Sequence, residues 1–309
     1  MATAQDVVAG RLRSRGRPAF DTERIVPVLL ILPSVVLIAL FVYFFIGYTG
    51  FVSLTAWRGI IPDYTLVGLQ QYQQLAELER FQADIHNTIV FTVLFLAASI
   101  VLGFSAALLL DQRLKGAILF QNIFLFPLAI SFVVTGTVWR WIWNPTNGLN
   151  VLFERAGLGF IKLDWLTSTE TALYALVVAA VWQMSGFCMA MFLAGLRSIP
   201  EELREAAHVD GASWLQTLRY IILPLLNPIL LAAIIILGHI SLKIFDLVFV
   251  MTFGGPGFAT DMPGLHMFIA TFRQNLYARG AAIATVLLLM VAVLIVPYLI
   301  WTNREERRS

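Results

Sequence analysis

Apolar and polar positions along this chain alternate on a scale far coarser than a soluble domain would show. Stretches free of charge run from Ile25 to Trp57, Asn87 to Leu110, Gly116 to Trp139, Thr171 to Leu196, Tyr220 to Leu242 and Gly280 to Asn303. Each meets the roughly 20 helical residues needed to cross about 30 Å of hydrocarbon. The pattern predicts an all-α membrane protein with six transmembrane helices over residues 25–303. A tail of residues 1–24 precedes them and a tail of residues 304–309 follows. The first run is too long for a signal-peptide core and has no small-residue cleavage site before a soluble domain, so it is expected to stay as an anchor.

Two shorter features lie between the runs. Leu75, Leu78 and Phe81 fall at helical spacing and predict a short helix on the membrane surface. Trp139, Trp141 and Trp143 form a cluster of the kind that anchors a span at headgroup level.

Composition agrees with this picture: 59% of residues are hydrophobic, 13% are charged, and the mean hydropathy is +0.80. Charge adds a direction. Of the 21 Lys and Arg residues, thirteen lie in the two tails and in the segments after spans two and four. They are Arg11, Arg13, Arg15, Arg17, Arg24, Arg113, Lys115, Arg197, Arg204, Arg219, Arg304, Arg307 and Arg308. Seven lie in the opposite segments, and Lys243 falls near the end of a span. The positive-inside rule then places both termini in the cytoplasm of a cell whose inner membrane holds the chain. The net charge of +2 reports topology and gives no reason to expect nucleic acid.

Several function classes lose their footing. No polar segment is long enough to build an ordinary soluble domain. No GxxxxGK[ST] loop is present, so any ATP chemistry must come from a partner, and no cofactor or metal is expected on this chain. Cys188 is the single cysteine and reads as a small apolar filler in the fourth span. The four histidines, His86, His208, His239 and His266, show no HExxH spacing, and no GxSxG is present, which leaves an intramembrane hydrolase without a catalytic set. No internal repeat suggests the duplicated halves of many secondary transporters. A secondary transporter or channel working alone stays as the alternative to an ATP-driven one.

The most informative segment is 198–219, between spans four and five. Ser198 before Pro200, with Glu201 and Glu202 following, predicts a helix start with a hydroxyl cap, a proline in the first turn and acids at the positive dipole end. That helix should reach about Val209 and stop at Gly211, which tolerates turn geometry. Asp210 or Ser213 could cap a second short helix carrying Trp214, Leu215 and Leu218 on one face. Ala206 and Ala207 would let a partner's groove approach the backbone, and Glu205 offers a carboxylate to a basic partner. An amphipathic loop lying on headgroups fits the residue types equally well.

Glu205-Ala206-Ala207, Gly211, and then Ile221 with Leu223-Pro224 resemble the full EAA signature of binding-protein-dependent ABC importer permeases. Weaker matches extend along the chain and resemble carbohydrate permeases of the maltose-importer type. They are Gly68-Leu-Gln-Gln-Tyr72, Asn87-Thr88, Phe126-Pro127 through Trp143-Asn-Pro145, and Phe245-Asp246 through Gly254-Gly-Pro256. The resemblance implies that segment 198–219 is a cytoplasmic coupling helix docked on an ATP-hydrolysing subunit, with Glu205, Ala206, Ala207, Gly211, Ile221, Leu223 and Pro224 carrying that role. It also implies a second homologous permease as heterodimer partner, an ABC ATPase dimer, an extracytoplasmic sugar-binding protein, and a di- or oligosaccharide such as an α-glucoside as cargo.

Candidate residues for a sugar pathway are the polar ones within spans. His239, Lys243 and Asp246 share a stripe at i, i+4 and i+7 of a fifth span. Ser131 and Thr135 in the third and Thr88 and Thr92 in the second sit at i and i+4. Trp182 and Gln183 in the fourth offer a stacking surface and an amide. Lys243 lies 19 residues beyond Pro224, or roughly 28 Å along a helix, near the outer surface. There it and Asp246 could line an outer mouth, pair with each other or reach for water.

Overall fold

The computed structural model describes residues 22–112 and 115–306. Most of the N-terminal tail, Arg113 and the last three residues lie outside the described residues, and so do the topogenic charges they carry. The described residues are helical apart from loops and one isolated antiparallel bridge, Thr55 to Leu66. The chain divides into two compact units, residues 1–51 and 52–309.

The first unit contains α1 (Thr22–Ile38), which passes through a π turn at Ala39–Tyr43 into α2 (Phe44–Ser53). Pro27 and Pro33 sit inside α1. Its apolar side chains stay open: Leu30 is 75% exposed and Leu37 54%. Only a lipid or protein solvent suits such a surface. The helix ends at Ser53, four residues before the Trp57 expected from the uncharged run.

The second unit is arranged around α4 (Glu79–Asp111) and α8 (Ala172–Ser198), which pack along one another. Between them lie Phe91, Phe95, Ala107, Leu176, Cys188, Met189 and Leu196, all nearly inaccessible. Lipid tails are as apolar as leucine, so close packing of small residues has to hold membrane helices together. Gly103 of α4 illustrates this: a Cβ there would collide with the Cys188 side chain and lie 2.8 Å from the Met189 nitrogen. Cys188 is therefore buried packing, as expected. The surface helix predicted around Leu75 is α3 (Gln70–Glu77), while Phe81 already belongs to α4.

Two expected spans are broken. The third divides into α5 (Ala117–Leu125) and α6 (Phe132–Ile142), which meet at 102° across a 3-10 turn, Phe126–Ala129. Pro127 lies in that turn and Ile130 is extended, so the helical ladder cannot continue. Helix α7 (Leu149–Arg155) follows, before α8. Beyond α8 come α9 (Glu201–Val209) and α10 (Trp214–Thr217), a π turn at Leu218–Ile222 and the single turn α11 (Leu223–Leu225). The fifth span then restarts as α12 (Asn227–Leu242), bent by 62° where Pro228 removes a donor.

The chain continues through α13 (Asp246–Met251) and α14 (Pro263–Phe268), with a π turn at Ile269–Arg273, and ends in α15 (Tyr277–Glu306). Among the described residues four helices are long and apolar enough to cross a membrane, and up to six spans result if each bent pair counts as one. The expected tryptophan anchor is reassigned in part. Trp141 is 68% exposed, but Trp143 is buried and stacks on Trp165 at 4.3 Å between ring centres.

Candidate functional site

The α9–α10 hairpin is built from local signals. Glu201 and Glu202 occupy the first turn of α9, where the helix dipole favours acids. The residue before that turn is Pro200, and the Ser198 hydroxyl donates back to the Gly195 carbonyl at 2.8 Å. Ser198 therefore closes α8 and does not cap α9, which corrects the sequence expectation. Helix α9 stops in a Schellman arrangement: Gly211 N–H donates to His208 at 3.1 Å and Ala212 N–H to Ala207 at 2.9 Å. Gly211 sits at φ +76°, a conformation glycine takes without strain.

Ser213, not Asp210, then caps α10 through a capping box. Its N–H donates to Gln216 Oε1 at 2.7 Å while its hydroxyl accepts from the Gln216 N–H at 3.4 Å. The hairpin presents Glu205, Ala206, Val209 at 84% exposure, Trp214 at 59%, Leu215 at 65% and Tyr220 at 70%. Beside it a cavity of about 320 Å³ is lined by Asp210, Gly211, Gln216, Tyr220 and Ile221.

The two alanines of the signature do different things. Ala206 is open, whereas Ala207 is 5% exposed and faces its own chain, so only one of them can meet a partner. Leu218 and Ile222 are buried with the hydrophobic core, while Leu223 and Pro224 are exposed just before the bend. At its root α9 is tied down by Arg204. That guanidinium donates to Asp111 Oδ2 of α4 at 2.7 Å and to the Leu196 carbonyl of α8 at 2.8 Å.

The candidate pathway residues do not form one face. Helix α12 ends at Leu242, Lys243 is its C-cap, and Asp246 begins α13, so the predicted i, i+4, i+7 stripe does not exist as one helix. Lys243 and Asp246 are both exposed, and no ion pair joins them among the described residues. His239 and Lys243 instead share a cavity of about 460 Å³ with Phe245, Met267, Phe268 and Leu287. His239 Nδ1 is buried there without a hydrogen-bond partner.

The third-span pair stays together beyond the break, with the Thr135 N–H donating to the Ser131 carbonyl at 2.9 Å. Ser131 caps α6 by accepting from the Val134 N–H at 3.3 Å, and Thr135 is buried in that helix. Gln183, 3% exposed, donates to the Ile130 carbonyl at 2.6 Å and satisfies the backbone freed by the break. Trp182 packs edge-to-face on Trp139, with ring centres 5.9 Å apart. On α4 the Thr88 hydroxyl donates to the Asp84 carbonyl at 2.7 Å and that of Thr92 to Ser241 Oγ of α12 at 2.9 Å.

Sequence reasoning missed a second polar cluster, at the opposite end of α4 from Asp111. Asp84 Oδ2 contacts His266 Nδ1, and Arg80 pairs with Asp261 Oδ2. Asn87 donates to the Phe258 and Asp261 carbonyls at 2.8 and 3.0 Å, and the Arg80 guanidinium lies over the Phe258 ring at 5.2 Å. Asp84, Asp261 and His266 are at most 3% exposed. Burial pushes the Asp261 carboxyl up from the usual carboxylate range, against the opposing pull of Arg80. The signal was available on one side only, because Arg80, Asp84 and Asn87 lie at i, i+4 and i+7.

Residues 99–308 match the family described as binding-protein-dependent transport system inner membrane component. A protein of Pyrococcus horikoshii described as a "probable ABC transporter permease protein" is 44% identical over 282 residues, covering 91% of this chain and 97% of that protein. The xylose/arabinose import permease of Haloferax volcanii is 37% identical over 272 residues, 87% of this chain and 86% of that protein. The trehalose/maltose transport system permease of Thermococcus litoralis is 33% identical over 272 residues, 88% and 91% of the two chains. Among solved structures, a chain of a bacterial ABC transporter involved in the import of the acidic polysaccharide alginate has the same fold. Its TM-score is 0.76 at 22% identity, with 93% of this chain and 97% of that one covered.

Proposed function

Because the chain belongs to the family of binding-protein-dependent transport system inner membrane components, we propose that it is one of two different permease subunits of an ATP-driven sugar importer. The observation that carries this reading is the α9–α10 hairpin. A nine-residue helix bearing the EAA signature stands out with Glu205, Ala206, Val209, Trp214 and Leu215 uncovered. A surface of that kind suits a groove on a partner protein. A secondary transporter or channel would have no use for it.

In this reading an ABC ATPase dimer binds the ATP and docks on α9 and its counterpart in the second permease. An extracytoplasmic binding protein delivers the cargo, and the permease itself makes and breaks no covalent bond. The charge asymmetry puts both termini and the hairpin in the cytoplasm. Closure of the ATPases on ATP would move the two permeases as rigid bodies and turn the site from outward to inward access. Relatives described as importing xylose/arabinose and trehalose/maltose favour a carbohydrate cargo. Within that class we favour a di- or oligosaccharide, with α-glucosides first.

For the pathway, the cavity holding His239, Lys243, Phe245 and Phe268 is the best candidate on this chain, since it combines ring faces for sugar stacking with two nitrogen donors. Asp246 does not line that cavity, and an outer mouth is the part of the pathway its exposure suits. Trp182, Gln183, Ser131, Thr135, Thr88 and Thr92 act beside it as helix braces.

The test is Glu205→Lys in the assembled complex. The chain should stay folded and inserted, while ATPase subunits no longer co-purify and sugar uptake is lost. Normal uptake with the ATPase still attached would overturn the docking reading. Asp210→Cys, labelled only by reagents that reach the cytoplasm, checks the sidedness.

A further inference from the structure

Helix α4 is fastened at both ends by ion pairs to segments that lie far from it in sequence. At one end Asp111 holds Arg204 of α9 at 2.7 Å, with the two side chains 15% and 25% exposed. At the other, Arg80 holds Asp261, just before α14, and Asp84 holds His266 within α14. Between these ends α4 is a single uninterrupted helix of 33 residues, or about 50 Å at the helical rise. It is locked along its length to α8 by contacts as close as Gly103 against Cys188. Of the other connections from the α9–α10 side, α8 is also unbroken and packs along α4, whereas α12 is bent by 62° from the helix before it and the third span by 102°.

Motion between distant sites travels through rigid elements and their charged contacts. A bent helix absorbs a push at its hinge, and an unbroken one passes it on. We propose that α4 is the strut that carries movement of α9 to the far segment at residues 254–266, and that the Asp111–Arg204 pair is the contact through which it is driven. Asp111 is thus a positioning residue: it acts through Arg204, and its side chain is only 15% exposed. The guanidinium grips α4 and α8 at once through Asp111 and the Leu196 carbonyl, so α9 cannot shift without taking both helices along. This proposal rests on the docking role of α9 given above.

The experiment compares Asp111→Asn with Asp111→Glu in the complete importer reconstituted with its ATPase subunits and binding protein. Asparagine keeps the shape and removes the charge. Glutamate keeps the charge, and the adjoining cavity of about 390 Å³ leaves room for its extra methylene. The readout is sugar moved per ATP hydrolysed, measured beside the amount of ATPase subunit retained. Asp111→Asn should lower that ratio about fivefold or more, the low end of coupling between linked sites, with the ATPase still bound. Asp111→Glu should keep it within about twofold of the native chain, well inside the loss that broken coupling brings.

An unchanged ratio in Asp111→Asn would overturn the proposal. Equal loss in both variants would overturn it too, since that is a packing effect, as would loss of the ATPase from Asp111→Asn, which would make the pair a brace of the docking segment. The docking reading fails independently, through Glu205→Lys, whatever Asp111 does.

Discussion

The two ends of α4 are both rich in charge and both lie beside short helices, yet they are finished in opposite ways. At the Arg80 end Asp84, Asp261 and His266 are buried, Asp84 is paired with His266 and Asp261 with Arg80, and Asn87 ties down two loop carbonyls. At the Asp111 end Arg204, Ala207, Leu218 and Ile222 turn inward, and Glu205, Val209, Trp214 and Tyr220 are left open. The first region is enclosed within the chain. The second leaves an open surface, the one proposed above to receive an ATPase subunit. Substitutions at the first should therefore be read out in stability, and at the second in assembly.

The largest effect that would break this contrast belongs to His266. His266→Ala leaves the buried Asp84 carboxyl without its side-chain partner, and stripping a buried polar group of its hydrogen bond costs about 1–3 kcal/mol, more where the group is charged. Unfolding of the purified permease in detergent should show the loss. The double variant Asp84→Leu with His266→Leu, which removes the polar pair altogether, should recover most of it. If the single and double changes destabilise equally, the pair is not what completes that end.

At the other end Trp214→Ala sharpens the comparison from the opposite side. Trp214 is 59% exposed, so the isolated permease should change by no more than about 0.5 kcal/mol, as surface positions usually do. Binding of the ATPase subunit should weaken by about 2 kcal/mol or more if the ring sits at the centre of the interface. Titrating purified ATPase onto permease in lipid nanodiscs measures this. Unchanged binding would show that the open face is not the docked one.

What the sequence made legible follows the same division. Uncharged runs located α4, α8 and α15, because a membrane-crossing helix announces itself by the absence of charge, whether it faces lipid or, like α8, is mostly enclosed by its neighbours. The hairpin was legible as well, since Pro200, Gly211 and Ser213 act through their immediate neighbours. The breaks were not. Pro127 and Pro228 lie inside runs as apolar as the unbroken ones, and the compensation that makes a break tolerable comes from Gln183, 53 residues from the Ile130 carbonyl it satisfies.

The end of α12 at Leu242 was hidden too: no proline or glycine marks it, and the stripe drawn through Asp246 assumed a helix that had already stopped. The ion pairs were out of reach for the same reason. Arg80 and Asp261 are 181 positions apart and Arg204 and Asp111 are 93. Periodicity on one helix marks a polar face but not the partner that faces it.

The smallest expected effect separates shape from contact within the hairpin itself. Gly211 sits at φ +76°, and nothing lies within 4 Å of where a Cβ would be built. Gly211→Ala therefore meets no clash and is opposed only by the left-handed backbone, at roughly 1–2 kcal/mol for an L-residue. In the isolated permease that strain is relieved locally by loosening the turn between α9 and α10, so the melting temperature should move little. Docking requires Glu205 on α9 and Trp214 on α10 to be presented together, so the same loosening should weaken the ATPase by an amount no larger than the strain. Gly211→Asn, which tolerates the left-handed region better, should lose less than alanine. Affinities ordered glycine, asparagine, alanine would show that the turn's geometry is what the partner reads. If both variants bind as tightly as the native chain, the two short helices act independently and the hairpin is not one docking unit.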